Sequence, residues 1–284
     1  MSETFFSSRL ERSRCPSVVL RPVSDVLFLT LASSVLGIQE GEPPLKESTT
    51  RSLGRRVRHP QRVYVERLDA ALRPETRWLD LGCGRTTVPR WLPEYAATQE
   101  RLRNRSHGAV GIDLDISALR ENTCCAHRLQ ATADEIPFAS GSFDLVTSNM
   151  VFEHVADPNR TLKEIRRVLQ PGGLLLIHTA NSTDFVAISA RLIPNRFHQF
   201  VVSRIEGRAE EDVYPTYYRF NRAGRVRRLL RRAGLLALRI EHLEQPLTFQ
   251  EVPVLAAVER IWQRWARICP ALRGTLLVEA TPEV

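Results

Sequence analysis

A turn with two glycines and an acidic residue could bring the backbone against a bound ligand. Residues 78–89 read WLDLGCGRTTVP. Gly82 and Gly84 allow a tight turn and a close approach without Cβ clashes. Asp80 ends an apolar run, where its carboxylate can organise the turn or meet a cationic ligand. We therefore expect Asp80, Gly82, Cys83 and Gly84 to contact a ligand between a strand and a helix.

A second acidic residue follows a second apolar run, which reads VGIDLD. Asp113 ends this run, and an acid at such a strand end can accept hydrogen bonds from both hydroxyls of a ribose. It lies 29 positions after Gly84, against about 20 in dinucleotide-binding folds, and we assign the excess to a loop over residues 93–107. Asp115 is expected to cap the next helix, and Leu114 to lie with the ligand-binding residues.

The turn alone does not identify its ligand. The dinucleotide fingerprint Gly-x-Gly-x-x-Gly requires a third glycine, and Thr87 occupies that position. The loss matters less for a ligand without a pyrophosphate. A dinucleotide site and a turn that binds nothing remain open at this point.

A longer segment carries the most informative motifs. Residues 131–155 read ATADEIPFASGSFDLVTSNMVFEHV, and residues 169–173 read LQPGG. Together with the two earlier segments they resemble the class I S-adenosylmethionine-dependent methyltransferases, nearest to the ubiquinone/menaquinone (methyltransferase type 11) group. The resemblance extends from about Trp78 to Asn181. Its four spaced motifs indicate the cofactor with high specificity but carry little information about the substrate.

The resemblance implies a Rossmann-like α/β fold, a doubly wound and mostly parallel seven-stranded sheet, with S-adenosyl-L-methionine as the cofactor. Gly82 and Gly84 would line the methionine and ribose side, and Asp113 would hold the ribose. A small-molecule acceptor and a cytoplasmic enzyme are expected.

The resemblance departs from the family at the adenine pocket. The family often reads Asp-Ala-Glu where this chain reads Thr132-Ala133-Asp134, so the usual adenine-contacting carboxylate is a threonine here. Asp134 would substitute, or Ala133 would contribute its backbone amide. Asn149 and Met150 would flank the methionine moiety and the transferred methyl group.

The pair Glu153-His154 is familiar in this family. In some quinone methyltransferases a similar pair joins an acid three residues upstream to hold a divalent metal, and that position is Met150 here. A carboxylate and an adjacent imidazole are too few ligands, so we expect no metal.

Methyl transfer from a sulfonium is an in-line displacement, in which the protein mainly aligns and desolvates the acceptor. A general base is needed only for a weak nucleophile such as a hydroxyl. We take His154 and Tyr217 as the catalytic candidates, with His178 and His198 as alternatives. Each of these histidines could equally be structural.

The alternation of apolar runs and helical patterns predicts a parallel sheet. Residues 1–58 are expected to be an N-terminal extension and linker, partly disordered, and residues 59–284 the methyltransferase domain. Aromatic residues across 181–220 predict a lid over the acceptor, or else a cluster that seals the domain. A helical insertion is expected over 242–273, and its apolar residues from Leu255 to Ile268 predict a packed helix. Trp262 and Trp265 could instead touch lipid or a hydrophobic acceptor.

Composition narrows the choice of partner. The net charge is +8, but only Lys46 and Lys163 are lysines, so a general bias toward arginine explains it more simply than a nucleic-acid site. Contact with a membrane surface is a minority interpretation. The apolar run 26–38 is too short to span a bilayer. Arg9, Arg12 and Arg14 precede the longer apolar stretch 18–38 and keep a signal peptide open.

Three functions remain. The first is methylation of a small organic acceptor, with O-methylation preferred. The second is methylation of a tRNA base or other nucleic acid; no Asn-Pro-Pro-Tyr-like motif follows the strand at 143–148, which counts against amino-methylation of bases. The third is a non-catalytic binding protein with a degenerate site, against which the intact Gly82, Gly84 and Asp113 argue.

Overall fold

The structure is a computed structural model and describes residues 51–283, except 53–54, 57, 91, 93, 106–107, 193–213 and 250–252. The predicted extension up to residue 50, with its apolar run at 26–38, lies outside the described residues. So does the middle of the predicted lid, including His198. A short antiparallel pair, Arg51–Ser52 with Arg55–Arg56, occupies part of the predicted linker.

Seven strands form the central sheet. They are β1 (Trp78–Leu81), β2 (Val110–Asp113), β3 (His127–Gln130), β4 (Phe143–Asn149), β5 (Leu169–Ala180), β6 (Leu235–Leu243) and β7 (Thr275–Pro282). Their spatial order is β3-β2-β1-β4-β5-β7-β6. Only β7 runs antiparallel to its neighbours, so the predicted mostly parallel sheet is confirmed. The strand order reverses between β1 and β4, which places a ligand crevice at their carboxyl ends.

Seven helices are described. They are α1 (Pro60–Ala71), α2 (Tyr95–Asn104), α3 (Ile116–Glu121), α4 (Pro158–Val168), α5 (Phe185–Leu192), α6 (Ala223–Arg232) and α7 (Pro253–Ile268), and a 3₁₀ turn follows at Pro270–Leu272. None of the helices in the described ranges is long and apolar enough to cross a bilayer.

Two apolar cores cover the two faces of the sheet. Successive side chains of a strand point to opposite faces, and Trp78 and Leu79 of β1 accordingly belong to different cores. The core with Leu79 contains the apolar faces of α4 and α6. The core with Trp78 contains residues of α1, α2 and α3. The sheet is therefore doubly wound, with its loops free to build a site at the strand ends.

Side-chain caps fix where the helices at this edge begin. Asp115 accepts a hydrogen bond from the Ser117 amide at the start of α3, as predicted. Asp157 accepts from the Asn159 and Arg160 amides at the start of α4. Such caps satisfy amide groups that have no partner within the helix.

One expectation about the elements was wrong, one strand was not singled out, and one helix packs differently from the first expectation. The predicted loop over 93–107 contains α2, whose buried face is largely polar, with Thr98 and Gln99 beside Leu102. Strand β3 was not predicted, because all four of its residues are exposed and show no apolar alternation. Helix α7 was expected to bury its apolar residues, and it instead buries Ala256, Glu259 and Ala266.

Gly111 in β2 tests the packing behind the site. A Cβ on this glycine would lie 2.6 Å from Cys83 Sγ and 2.8 Å from Cys125 Sγ, so Gly111→Ala should lower the free energy of unfolding by about 1–3 kcal/mol. Urea denaturation measures this change. Gly224→Ala in α6 is the control, because a Cβ there meets nothing within 4 Å and alanine favours a helix by up to about 1 kcal/mol. Equal stability of the two variants would contradict the packing argument.

Candidate cofactor site

The glycine turn after β1 is closely packed at Gly82 and open at Gly84. Gly82 and Gly84 have φ values of +67° and +52°, which favour glycine. A Cβ on Gly82 would lie 2.4 Å from Val151 Cγ2, whereas one on Gly84 would meet nothing within 4 Å. The Gly82 and Cys83 amides donate to the Ile112 carbonyl at 2.8 and 3.2 Å. The turn is thus fastened to β2 while Gly84 borders the crevice.

Asp113 ties the end of β2 to this turn. Its Oδ2 accepts a hydrogen bond from the Gly84 amide at 2.8 Å, and its Oδ1 accepts from the Asp115 amide at 3.0 Å. Each carboxylate oxygen has a further lone pair, so the group can still accept from ribose hydroxyls. Leu114 beside it is 58% exposed, which leaves an apolar side chain at the edge of the crevice.

Asp80 lies beneath the turn and is almost completely buried. Its two oxygens accept hydrogen bonds from Thr147 Oγ1 at 2.6 Å and Thr87 Oγ1 at 3.0 Å. Burial raises the pKa of Asp80 to about 7, the two hydroxyl donors oppose this rise, and the charge of Asp113 adds to it. The threonine at the third-glycine position therefore has a role of its own: it holds the acid of the turn.

Asn122 holds the same turn from behind and was not singled out from the sequence. Its buried side-chain amide donates to the Cys83 and Gly84 carbonyls, both at 3.0 Å. Its Oδ1 accepts from the Cys124 and Cys125 amides. One side chain thus satisfies four backbone groups, which fixes the turn relative to the chain that leads into β3.

The segment after β3 brings Thr132, Ala133 and Asp134 to the same edge, since the Ala131 amide donates to the Asp113 carbonyl at 3.1 Å. Thr132 is exposed and Ala133 half-buried. The Asp134 carboxylate lies 3.6 Å from Arg160 Nε. Which of the three contacts adenine stays a prediction.

Helix α4 fixes the continuation of this segment through an ion pair. Arg167 donates to the Ile136 and Phe138 carbonyls at 2.7 and 2.6 Å, and Glu164 accepts from the Ile136 amide at 3.0 Å. Arg167 and Glu164 also bond each other at 2.7 Å. The expected adenine side of the crevice is therefore held by a charged pair in addition to the apolar packing of Ile136 and Phe138.

The end of β4 adopts a conformation that non-glycine residues rarely use. Met150 has φ of +56°, and its amide donates to the His178 carbonyl at 2.8 Å. Asn149 exchanges two hydrogen bonds with Gln61 of α1, at 2.9 and 3.2 Å. Backbone strain of this kind is retained where the surrounding structure fixes it, often at functional sites.

His178 is held as a neutral internal residue. Its Nδ1 lies 2.8 Å from Asn149 Oδ1 and its Nε2 lies 3.0 Å from Thr275 Oγ1. Burial, with the nearby His59, lowers the pKa of His178 to about 3. The alternative that this histidine acts as a general base was wrong, because the ring is buried and positions Asn149.

The predicted catalytic residues lie on two loops that meet through Glu153. The Glu153 carboxylate is buried and accepts from Thr179 Oγ1 at 2.7 Å. Its carbonyl accepts from the Tyr217 and Tyr218 amides at 2.8 and 3.2 Å. The ring of Tyr217 is half-exposed, with the Arg219 guanidinium 5.4 Å from its centre.

His154 lies next to this contact. Its Nδ1 is 3.0 Å from the Pro215 carbonyl oxygen, and its ring meets Tyr214 edge-on at 6.0 Å between centres. The His154 amide also donates to the Val151 carbonyl, and the Val151 side chain is the one that packs on Gly82. A single turn of chain therefore links His154 to the glycine turn.

The residues fit the expected cofactor. A carboxylate for ribose hydroxyls, an open backbone at Gly84 and an uncommon conformation at Met150 lie at the carboxyl ends of β1, β2 and β4, where the strand order reverses. S-adenosylmethionine has no pyrophosphate, so the threonine in place of the third glycine is compatible with it.

The raised pKa of Asp80 predicts how stability depends on pH. The folded protein retains a proton that the unfolded chain loses, so this group stabilises the fold at low pH and the contribution disappears as pH rises from about 4 to about 7. Asp80→Asn removes this pH dependence. The free energy of unfolding of the variant, relative to that of the wild type, should therefore increase by about a few kcal/mol between pH 5 and pH 8.

Denaturant unfolding at several pH values measures the difference in free energy of unfolding between Asp80→Asn and the wild type. Asp144→Asn is the control, because Arg77 lowers the pKa of Asp144 and its contribution stays constant above pH 5. A gap between Asp80→Asn and the wild type that does not change with pH would contradict the assignment.

Comparison with known proteins supplies the family. A methyltransferase domain family matches residues 79–177. The malonyl-[acyl-carrier protein] O-methyltransferase of Erwinia pyrifoliae is 30% identical over 224 residues, which are 74% of this chain and 80% of that protein. The ubiquinone biosynthesis O-methyltransferase of Parvibaculum lavamentivorans is 34% identical over 128 residues, 41% of this chain and 46% of that protein. The chain thus spans less than half of that second relative.

Solved structures share the fold. The alignment with the [4+2]-cyclase SpnF covers 91% of this chain and 93% of the SpnF chain, with a TM-score of 0.51 and 17% sequence identity. An S-adenosylmethionine-dependent methyltransferase from Listeria monocytogenes covers 79% of this chain and 97% of its own at a TM-score of 0.50 and 16% identity. With the sheet order and the crevice described above, these findings show that the chain belongs to the S-adenosylmethionine-dependent methyltransferases.

Proposed function

We propose that this methyltransferase modifies an oxygen atom of a small organic acceptor. The chemical work of the cofactor is to supply an activated methyl group, so the protein must align the acceptor and, for a hydroxyl, remove its proton. Two relatives, from Erwinia pyrifoliae and Parvibaculum lavamentivorans, are named O-methyltransferases. These two names support oxygen as the methylated atom, whereas relatives from two Vibrio species at 31% identity are named C-methyltransferases.

The hydrogen bond of His154 carries the proposal. A carbonyl oxygen can only accept, so His154 Nδ1 must donate to Pro215 at 3.0 Å. When the ring is neutral this places the lone pair on Nε2. That nitrogen can accept a proton from an acceptor hydroxyl, which is the requirement for a general base in O-methylation.

The tyrosines provide a surface on which an organic acceptor can lie. Tyr214 meets the His154 ring, and Tyr217 follows three residues later with half of its ring exposed. Aromatic faces with polar tips suit an acceptor that is partly apolar. The hydrogen bonds from Tyr217 and Tyr218 to the Glu153 carbonyl hold this surface beside His154.

Two observations separate this proposal from the other functions. An enzyme that methylates the amino group of a nucleic-acid base would be expected to place a base-holding motif after β4, where the chain reads Ser148-Asn149-Met150-Val151. A non-catalytic protein with a degenerate site would be expected to have lost the glycine turn or the acid after it, and Gly82, Gly84 and Asp113 are all present. Small-molecule methylation is therefore the better supported function.

Substitution of His154 tests the role of the base. His154→Gln and His154→Ala should each lower the rate of methyl transfer to a hydroxyl acceptor by about 100-fold or more, while the Kd for S-adenosylmethionine changes little. His127→Gln is the matched control, because His127 is exposed at the amino end of β3, at the opposite edge of the sheet.

The assay follows transfer of a radiolabelled methyl group to a panel of phenols, carboxylic acids and amines. Treatment of the product with hydroxide separates an ether, which survives, from an ester, which is cleaved. Labelled product only from amines would contradict O-methylation. An undiminished rate in both His154 variants would contradict the base.

A further inference from the structure

Helix α7 exposes an apolar stripe that the methyltransferase site does not use. The stripe consists of side chains that are between 46% and 79% exposed: Val254, Val258, Ile261, Trp265 and Ile268. Their spacing alternates between four and three residues, so they lie along one face of the helix. A contiguous apolar face of this kind usually marks an interaction surface.

The other side of α7 anchors the helix to the domain. Glu259 is buried and accepts hydrogen bonds from the Thr248 and Phe249 amides at 2.8 to 3.0 Å. Trp262 donates to the Leu272 carbonyl at 3.0 Å and lies 6.0 Å from Phe185, measured between ring centres. The apolar stripe is therefore displayed by a helix whose orientation is fixed.

A row of arginines runs beside the stripe. Arg260, Arg264 and Arg267 are all exposed, and at 100° per residue they lie on the flank of the stripe through Ala257. The single acid of α7 is Glu259, which is buried on the opposite side. The exposed surface of this helix thus combines a wide apolar face, one tryptophan and only positive charge.

We propose that α7 docks the protein on an anionic lipid bilayer, with the apolar stripe in the interface and the arginine row on the headgroups. An amphipathic helix with lysine or arginine on its polar side and tryptophan on its apolar side is suited to lie in the plane of a membrane interface. Each arginine near such a surface adds attraction to the negative lipids.

Charge favours lipid over two other occupants of the stripe. A second copy paired through α7 would bring two arginine rows together, and the helix offers no exposed carboxylate to meet them. The chain's own apolar run at 26–38 contains no acidic residue. Anionic lipid headgroups supply the negative charge to pair with the arginine row, which a second α7 and the run 26–38 both lack.

Docking would also orient the site. Phe185, which packs against Trp262, begins α5 directly after the carboxyl end of β5. The cofactor crevice lies at the carboxyl ends of β1 and β4 in the same sheet. The edge of the sheet that bears the site would therefore lie close to the bilayer, within reach of an amphiphilic acceptor.

Vesicle sedimentation of the full chain tests the proposal. The wild type should bind vesicles of phosphatidylcholine mixed with phosphatidylglycerol and not vesicles of phosphatidylcholine alone. Ile261→Glu should weaken binding about tenfold or more, because it replaces an apolar side chain that would enter the lipid interface with a charged one. Arg264→Gln should weaken it about fivefold, and added salt should have a similar effect.

Leu129→Glu is the matched control, because it introduces the same charge at an exposed leucine of β3 at the far edge of the sheet. It should bind like the wild type. Equal binding by the wild type and Ile261→Glu, or no binding by the wild type, overturns the proposal. A wild-type dimer that Ile261→Glu converts to a monomer assigns the stripe to a second copy. A lowered unfolding midpoint of Ile261→Glu without lipid assigns it to the chain itself.

Discussion

The hydrogen bond between the Gly84 amide and the Asp113 carboxylate joins the two strand ends on which the site is built. It spans 29 positions of sequence and is possible only because β1 and β2 are parallel neighbours whose carboxyl ends meet. The same carboxylate accepts from the Asp115 amide, which leads into the cap of α3. The glycine turn, the end of β2 and the start of the next helix therefore depend on one side chain, the one expected to hold the ribose.

Buried polar groups support this bond from below. Asp80 is held by Thr147 and Thr87, and Thr147 in turn accepts from Trp78 Nε1 at 2.8 Å. Asn122 satisfies the carbonyls of the turn. Polar groups taken out of water destabilise a fold unless they are paired, so this network specifies one geometry for the turn. Gly111 and Gly82 complete it by allowing Cys83 and Val151 to approach closely.

The sequence was sufficient for the parts of the site that are local. The glycine turn, Asp113 and the Asp115 cap each lie within a few residues of a recognisable strand end, and the alternation of elements predicted the parallel sheet. The sequence was insufficient where partners are distant, as for Gln61 and Asn149, which pair across 88 positions. A polar residue in a helix or a loop carries no sign of such a partner.

The wrong expectations have physical causes of the same kind. Helix α2 buries Thr98 and Gln99, so apolar periodicity could not reveal it, and β3 exposes every side chain because it is an edge strand. The pattern in α7 correctly predicted a helix. Periodicity alone, however, cannot distinguish an apolar face that is buried in the domain from one that is exposed on its surface. The expectation for His178 failed for another reason. The role of this histidine depends on its burial, which the sequence does not reveal.

Calorimetric titration with S-adenosylmethionine of the wild type and of Asp113→Ala tests whether Asp113 holds the cofactor at this site. The account predicts binding by the wild type and a loss of about 100-fold or more in affinity for the variant, because the ribose hydroxyls lose their acceptor and the Gly84 amide loses its partner. Circular dichroism should show that the variant remains folded. No binding by the wild type at millimolar cofactor, or equal affinity in a folded Asp113→Ala, would contradict the site proposed for this chain.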